Sequence, residues 1–221
     1  MHAFISGISG GIGEQLALSF LSQGYSITGL KRRQTAHPRS LFHSQVKWIE
    51  YDYFDEKTLQ NISDELRDTP VNLLINSIGV FIADEIEIKP DNLNLHMDVN
   101  FFVPALLTQT LIPNLKLARG ARIINISSAS GVRIKNNNLS YNASKHALEA
   151  LTKTLNLKYA DEGIWATSIQ PSIVGTKMAD HHIKLGKKAL PISNVVSAVK
   201  FICSLSPDAH VSELKITLGP E

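Results

Sequence analysis

A doubly wound α/β fold, built on a parallel sheet of about seven strands, is the architecture that this sequence predicts. Short apolar runs alternate with longer segments of helical periodicity from one end of the 221-residue chain to the other, and such alternation is typical of a parallel sheet with helices on both faces. The runs are mostly apolar, as expected of strands that are buried on both sides. No linker, repeat or low-complexity segment divides the chain, so we expect one domain over residues 1–221.

Individual elements can be placed from the same patterns. Seven apolar runs predict strands at residues 2–6, 25–30, 46–50, 71–76, 121–127, 164–170 and 214–218. The period of apolar residues predicts helices at 12–22, 56–66, 91–117, 141–160 and 193–205. We expect the third helix to be broken at Pro104 and Pro113, because proline has no backbone N–H. Residues 172–192 lack a clear period, and long loops of this kind are often functional.

The composition excludes several classes of protein. A formal net charge of +2 is too small to indicate binding to nucleic acid or to an anionic membrane. No stretch approaches the roughly 18 apolar residues that span a bilayer, and the glycine-rich opening does not resemble a signal peptide. Cys203 is the one cysteine, which fits a reducing compartment. We therefore expect a soluble cytoplasmic protein.

A glycine-rich turn, SGISGGIG, joins the first predicted strand to the first predicted helix at residues 6–13. Gly7, Gly11 and Gly13 would let the backbone turn tightly and let a phosphate approach the helix N-terminus, where free N–H groups favour negative charge. The spacing differs from the common G-x-G-x-x-G dinucleotide fingerprint, and it is not a P-loop because no Gly-Lys-Ser/Thr follows. The turn indicates a nucleotide site, with a purely structural turn as the alternative.

The same residues also match the G-x-S-x-G pattern of a serine hydrolase, with Ser9 as its nucleophile. In that class of enzyme the oxyanion hole uses an N–H from an earlier strand–helix loop. Here the motif follows the first strand, so no such loop precedes it. A hydrolase is therefore the least favoured interpretation.

Basic residues follow the second predicted strand, in LKRR at residues 30–33. An acidic residue at this place normally holds the ribose 2′-hydroxyl of NAD(H), whereas arginine accommodates the 2′-phosphate of NADP(H). Arg32 and Arg33 can offer planar bidentate donors to a phosphate, and Lys31 could assist them. The sequence thus favours NADP(H) over NAD(H), with a solvated basic turn as the alternative.

Tyr141 and Lys145 lie one helical turn apart, in SYNASKHAL, and Ser128 lies 13 residues before the tyrosine. The chain holds a second set with the same spacing, Ser40 with Tyr53 and Lys57. Context separates the two, because Ser128 ends a predicted strand, where α/β sheets form their ligand crevice. Ser40 lies instead in a polar segment, so we regard the second set as coincidental.

Taken together, these motifs resemble those of the short-chain dehydrogenase/reductase family in its compact form. The resemblance runs from SGISGGIG through NSIG (76–79), Asn100 in DVNFFVP, NISS (125–128) and YNASK (141–145) to PSIVGT (171–176). It implies a Rossmann-type fold and an oxidoreductase that interconverts a small carbonyl compound and its alcohol. The arginine pair and the short tail also resemble bacterial NADP-dependent 3-hydroxy acid dehydrogenases, less specifically.

The resemblance implies a role for each of four catalytic residues. Tyr141 would be the general acid and base, Ser128 would hold the substrate oxygen, and Asn100 would anchor a water that relays protons. Lys145 would bind the nicotinamide ribose and lower the pKa of Tyr141. An ammonium about 5–6 Å away contributes roughly 3 kcal/mol at an effective dielectric of about 20, or about two pKa units.

Cofactor contacts are implied in the same way, at positions that match the family motifs. They comprise the glycine turn (Gly7, Ser9, Gly11, Ile12, Gly13), the arginines (Arg32, Arg33), Asp52 and Asn76 with Gly79 on the adenosine side, Tyr141 and Lys145, and Pro171, Ile173 and Thr176 at the carboxamide. Three residues depart from the family pattern, namely Ser77, Ile78 and Ser172. These departures bear on cofactor affinity and leave the catalytic groups intact.

The sequence does not identify the substrate. We expect its pocket to be lined by residues 129–139 and 177–192, whose basic residues Arg133, Lys135, Lys184 and Lys187 could favour an acidic substrate or could simply be solvated. His181 and His182 are adjacent rather than one helical turn apart, so we predict no metal site. The resemblance implies a homodimer or homotetramer, formed through helices 91–117 and 141–160. A catalytically idle NADP-binding regulator is the main alternative function.

Overall fold

Seven strands form the sheet in the computed structural model, which describes residues 1–35, 43–51, 54–84, 89–134 and 138–219 without the side chains of His43 and His181. The strands are β1 (His2–Ser6), β2 (Ser26–Arg32), β3 (Val46–Tyr51), β4 (Leu73–Asn76), β5 (Arg122–Ile126), β6 (Trp165–Pro171) and β7 (Glu213–Ile216). All neighbours are parallel, in the order β3-β2-β1-β4-β5-β6-β7. The predicted doubly wound parallel α/β fold is confirmed.

Helices connect the strands and cover both faces of the sheet. They are α1 (Gly11–Leu21), α2 (Glu56–Glu65), α3 (Pro90–Met97), α4 (Val103–Leu117), α5 (Leu139–Tyr159), α6 (Asp180–Lys184) and α7 (Ile192–Ser204). The short α6 lies within the segment that showed no period, since five residues are too few to establish one. No helix among the described residues has the length and apolar content needed to cross a membrane.

The long helix predicted over 91–117 is interrupted at one place. A π-helical turn, Asp98–Phe102, separates α3 from α4, and the Val103 N–H bonds the carbonyl of Asp98, five residues back. Pro104 follows at the start of α4, and it has no N–H to donate to the carbonyl of Asn100, four residues earlier.

The predicted break at Pro113 is wrong, because this proline lies inside α4. A proline within a helix costs about 3 kcal/mol. The neighbouring Leu111 and Leu115 are fully buried, and burial of leucine side chains stabilises the helix by about 1.5–3 kcal/mol each. Tertiary packing therefore outweighs the local cost.

Two hydrophobic clusters, one on each face of the sheet, form the core. Successive residues of β1 point to opposite clusters, Ile5 toward α1 and α7 and Phe4 toward α2, α4 and α5. This packing explains why the strands are apolar without alternation. It also places the carboxyl ends of β1, β4, β5 and β6 at one edge, where β1 lies between β2 and β4 and a crevice is expected.

Candidate active site

Two glycines of the turn after β1, Gly7 and Gly13, have no room for a side chain. Gly7 has φ of 69°, and a Cβ there would lie 2.7 Å from the backbone nitrogen of Ile78, after β4. A Cβ at Gly13 would lie 2.4 Å from the carbonyl oxygen of Gly7. Gly10 precedes α1 and has no side chain to cap its first turn. The turn therefore fits a cofactor phosphate, because the helix N-terminus favours an anion and no side chain competes for its N–H groups.

Two further residues of this turn have different surroundings. Ile12, in the first turn of α1, is half-buried and packs against the core cluster that α1 covers. Ser9 is half-buried, and in the described part of the chain no histidine is hydrogen-bonded to it. The geometry therefore does not assemble the serine hydrolase triad.

The basic residues at the end of β2 differ in exposure. Arg32 is exposed, and its charge acts to lower the pKa of Tyr51 at the end of β3, against the larger effect of burial. Arg33 is also exposed, whereas Lys31 is buried and paired with Glu50. Both arginines thus present their side chains to solvent at this edge. Asp52 lies outside the described residues, as do Ser40, Tyr53 and Lys135.

Tyr141, Ser128 and Lys145 meet at the carboxyl edge of the sheet. Tyr141 lies in the first turn of α5, and its hydroxyl interacts with the side chain of Ser128, which follows β5. The Lys145 ammonium lies 5.8 Å from the centroid of the Tyr141 ring. It is held there by donating a 3.0 Å hydrogen bond to the carbonyl of Ile126, the last residue of β5.

Burial controls the protonation of this pair. It raises the pKa of Tyr141, and the hydrogen bond with Ser128 acts in the opposite direction. It lowers the pKa of Lys145 to about 8, while the charge of Glu149 opposes that change. In the free protein the pKa of Tyr141 is therefore not lowered, contrary to the direction expected from Lys145 alone. At neutral pH the tyrosine is a protonated phenol beside an ammonium group, which is the state of a proton donor.

Asn100 lies in the π-helical turn and is fully buried. Its Oδ1 accepts a hydrogen bond from Val80 N at 2.8 Å, and its Nδ2 donates to Val80 O at 3.1 Å and to Ser144 Oγ at 3.0 Å. A Cβ at Gly79 would lie 3.3 Å from Asn100 Oδ1 and 3.7 Å from Lys145 Nζ. Asn100 thus fixes the segment after β4 against the helix that carries Tyr141, and Gly79 keeps the space beside Lys145 open.

A row of buried polar residues lies behind the site. Asn76 donates to Asn125 Oδ1 at 2.8 Å and to Thr108 Oγ1 at 3.2 Å, and Asn125 donates to Thr152 Oγ1 at 2.8 Å. The side chain of Asn76 therefore joins β4 to β5, so the cofactor contact at Asn76 stays a prediction for its backbone. Asn125 was not singled out from the sequence, although an amide within the apolar run RIINIS was a usable signal.

Phe81 and Asp84, further along the segment that follows β4 and Gly79, were also missed. Phe81 contacts the Tyr141 ring edge to face, at 5.1 Å between centroids, and His96 lies at 5.9 Å from the same ring. Asp84 accepts hydrogen bonds from the backbone N–H and the hydroxyl of Ser140, at the start of α5. No local pattern could reveal a cap supplied from 56 residues away.

Glu149 is another buried group that was not predicted from the sequence. It accepts hydrogen bonds from Ser168 Oγ at 2.7 Å and from Gln170 Nε2 at 3.0 Å, both on β6. Its position one helical turn after Lys145 was a signal, because residues four apart share a helix face.

The loop after β6 reaches the glycine turn. Pro171 is the last residue of β6, and Thr176 Cγ2 lies 3.3 Å from where a Gly11 Cβ would be. The carbonyl of Ile173 accepts the Leu190 N–H at 2.7 Å. Ile78 departs from the family pattern. Its side chain packs against the core cluster beside α4.

Residues 177–184 lie beside the group formed by Tyr141, Ser128 and Lys145. Met178 Cε lies 3.9 Å from the position of a Gly79 Cβ, and the His182 ring lies 5.4 Å from the Phe81 ring. The basic residues Arg133, Lys184 and Lys187 are exposed. Over the stretches that the structure covers, no group of three or more histidine, cysteine or acidic side chains could hold a metal ion.

Comparison with known sequences identifies the family. A family description of short chain dehydrogenases matches residues 1–184. The chain is 32% identical over 184 residues to the agropine synthesis reductase of Rhizobium rhizogenes, covering 79% of this chain and 42% of that protein. It thus spans less than half of that relative. It is 26% identical to an uncharacterized oxidoreductase of Staphylococcus epidermidis, covering 99% of this chain and 96% of the relative.

Solved structures show the same fold. ElxO with NADP bound superposes with a TM-score of 0.85 at 22% identity, covering 98% of this chain and 96% of that one. A 4-hydroxyisoleucine dehydrogenase complexed with NADH gives a TM-score of 0.82 at 24% identity, over 99% and 97% of the two chains. The match over most of the chain and the shared topology lead to one conclusion: this protein belongs to the short-chain dehydrogenase/reductase family.

Proposed function

We propose that this chain is an NADP(H)-dependent oxidoreductase that interconverts a small carbonyl compound and its alcohol. One observation carries the proposal, namely the Tyr141 hydroxyl acted on by Ser128, with the Lys145 ammonium 5.8 Å from the ring centroid. A protonated phenol at the open edge of the sheet is suited to donating a proton to a carbonyl oxygen.

The protein supplies the proton and holds the oxygen. In the direction of reduction, hydride adds to the carbonyl carbon, the C=O π bond breaks, and Tyr141 donates its proton to the oxygen. Ser128 donates a hydrogen bond to the oxygen as negative charge develops there. Lys145 stabilises the tyrosinate that remains. In the direction of oxidation the tyrosinate form of Tyr141 accepts the hydroxyl proton of the alcohol, while hydride leaves the carbinol carbon and the C=O π bond forms.

Several residues would hold the cofactor, which supplies or accepts the hydride when bound. The turn of Gly7, Gly11 and Gly13 would take its pyrophosphate, and Lys145 would take the ribose on the nicotinamide side. ElxO was solved with NADP and 4-hydroxyisoleucine dehydrogenase with NADH, so related folds use both. The exposed Arg32 and Arg33 favour the 2′-phosphate here.

Replacement of the phenol tests the chemistry. A panel of carbonyl compounds and alcohols, followed by nicotinamide absorbance with both cofactors, would first identify a substrate. Tyr141→Phe should then lower kcat by about 10²–10⁴-fold, the contribution typical of general acid–base catalysis, while NADPH binding by fluorescence stays unchanged. Tyr25→Phe, a tyrosine on the other side of the sheet, is the matched control. A fully active Tyr141→Phe would refute the proposed role.

Replacement of the arginines tests the cofactor preference. Hydrogen bonds to charged groups contribute about 1.5–3 kcal/mol each, so Arg32→Ala with Arg33→Ala should weaken NADPH binding by at least about tenfold and leave NADH binding within about twofold. Arg67→Ala, at an exposed arginine paired with Asp64 on the far side of the molecule, should change neither. An unaltered NADPH/NADH preference would show that the phosphate assignment is wrong.

The same measurements separate the alternatives. A catalytically idle regulator would bind NADPH and show no turnover across the panel, and Tyr141→Phe would change neither result. A serine hydrolase would bind neither cofactor and would lose esterase activity on Ser9→Ala. The intact proton-donating group argues against a regulator, which has no need of one.

We also propose a homodimer or homotetramer and a cytoplasmic location. Phe102, which ends the π-helical turn, and Leu106, one turn later in α4, are 47% and 37% exposed, and Leu157 on α5 is 90% exposed. These helices present the apolar surface that a two-fold interface would bury. Light scattering should show a dimer or larger species, and Leu157→Asp should shift it toward monomer. The single Cys203 is consistent with a reducing compartment.

A further inference from the structure

Lys31 is a lysine buried inside the sheet edge. It belongs to β2, directly before the two arginines, and its side chain is 1% exposed. Lysine is almost never fully buried unless its charge is paired. Its burial beside the proposed phosphate site therefore needs a structural reason.

The Lys31 ammonium has three partners. It lies 2.8 Å from Oε1 of Glu50, the residue of β3 that is paired with Lys31 of β2. It also donates hydrogen bonds to the carbonyl of Thr35 at 2.8 Å and, more weakly, to that of Arg32 at 3.4 Å. An ammonium has three donors, so these partners account for all of them.

Both carbonyls belong to the turn of residues 32–35, which carries the arginines. The turn is closed by a 3.0 Å hydrogen bond from Thr35 N to Arg32 O, and Arg33 N donates to Tyr51 O at 2.9 Å. The Lys31 ammonium thus donates to the carbonyls of the first and last residues of this turn, and its ion pair with Glu50 holds the ammonium in place. The Arg33 guanidinium also lies 3.8 Å from the other oxygen of Glu50.

We propose that Lys31, together with Glu50, is a positioning residue that holds the 32–35 turn so that Arg32 and Arg33 can receive the ribose 2′-phosphate. The inference rests on the proposed preference for NADP(H). Lys31 acts through the turn and does not bind the phosphate, because its charge is balanced by Glu50 and its donors are directed at protein oxygens.

Lys31→Met removes the ammonium and keeps a side chain of similar length. The dissociation constant for NADPH, by fluorescence titration, should rise about tenfold, as expected when an ordering hydrogen bond is lost. The constant for NADH should stay within about twofold. Lys47→Met is the matched control, because Lys47 also bonds a carboxylate and a carbonyl, both of Glu65, at 2.7 and 2.9 Å. It should change neither constant.

A double-mutant cycle distinguishes positioning from direct attraction. In a chain that already carries Arg32→Ala and Arg33→Ala, Lys31→Met should have no further effect on NADPH binding, since the positioned groups are absent. The same loss in both backgrounds would overturn the proposal in favour of direct attraction. An equal loss for NADPH and NADH would overturn it in favour of a general structural role.

Glu50→Gln provides a second, milder variant should Lys31→Met fail to fold. Loss of positioning predicts weaker NADPH binding, whereas removal of a carboxylate that merely repelled the phosphate predicts tighter binding. Tighter binding would therefore refute the proposal. If the arginine variants themselves leave the NADPH/NADH preference unchanged, the proposed cofactor preference fails. That result is distinct from a failure of Lys31 to act through them.

Discussion

Single glycine-to-alanine replacements can separate two reasons why this fold needs glycine, namely a left-handed backbone and a lack of space. Gly24 has φ of 81° and no heavy atom within 4 Å of the place that a Cβ would take, so conformation alone opposes alanine there. Gly13 has an ordinary φ, but its Cβ would lie 2.4 Å from a backbone carbonyl oxygen. Gly7 combines φ of 69° with contacts of 2.7–2.8 Å to backbone atoms. Comparing the three alanine variants therefore measures the cost of the left-handed backbone alone, of the lack of space alone, and of both together.

The free-energy costs follow from these contacts. A left-handed alanine costs about 1–2 kcal/mol, which is the expected loss for Gly24→Ala. Overpacking against backbone that cannot yield costs about 3 kcal/mol. For Gly13→Ala, the greater helix propensity of alanine offsets about 1 kcal/mol of this, leaving about 2 kcal/mol. Gly7→Ala should combine both terms and lose about 4–5 kcal/mol, a large part of the 5–15 kcal/mol typical of a domain.

Gly11→Ala is the matched control within the same turn. Its Cβ would meet the side-chain ends of Ile192 and Thr176 at 3.2 and 3.3 Å, and such ends can move. With the gain in helix propensity, we expect its free energy of unfolding to stay within about 1 kcal/mol of the wild type.

Urea denaturation measures each free energy of unfolding, provided that the slope with urea stays constant. We expect the destabilisation to increase from Gly11→Ala through Gly24→Ala and Gly13→Ala to Gly7→Ala. The reasoning is refuted if Gly24→Ala costs as much as Gly7→Ala, or if Gly13→Ala is as mild as Gly11→Ala. The first result would mean that the close approach of Gly7 to the backbone of Ser77 and Ile78 adds no cost to alanine, and the second that the close approach of Gly13 to the Gly7 carbonyl adds none.

Three further predictions concern charged groups. Asp84→Ala should lower the free energy of unfolding by about 2–3 kcal/mol in urea, because Ser140 loses a buried charged cap; a loss under about 0.5 kcal/mol would contradict this. Burial lowers the pKa of His96 and of His210, so the unfolded chain binds more protons and stability should decline as pH falls below about 6.5. His210→Phe should reduce that decline, and an unchanged acid slope would count against it. Burial lowers the pKa of Lys145 to about 8, so kcat/KM for carbonyl reduction should fall as pH rises through about 8. In Lys145→Met, kcat/KM should show no such fall near pH 8. If the fall persists in this variant, another group causes it.

The features predicted correctly are those that depend on residues close together in the sequence. All seven strands were found because an apolar run between polar turns is visible locally, and the family followed from ordered motifs such as Tyr141 with Lys145. The predicted break at Pro113 failed because a local propensity of about 3 kcal/mol was weighed without the burial of Leu111 and Leu115. The short α6 was missed because it is less than two turns long.

Partners that are distant in sequence could not be predicted. Asp84 caps the helix of Tyr141 from 56 residues away, and Asn76 bonds Asn125 across 49 residues. Nothing near Lys31 in the chain marks it as buried, since LKRR looks like a solvated basic turn until β3 brings Glu50 beside it.

By itself, the sequence determined the sheet-forming runs, the glycine turn and the chemical groups available for catalysis, because periodicity and residue type are local properties. Only the tertiary structure decided how those groups behave. Burial raises the pKa of Tyr141 and lowers that of Lys145, and packing fixes the turn that carries the two arginines. The physical reason is that desolvation and hydrogen-bond geometry depend on which atoms surround a group, and most of those atoms come from other parts of the chain.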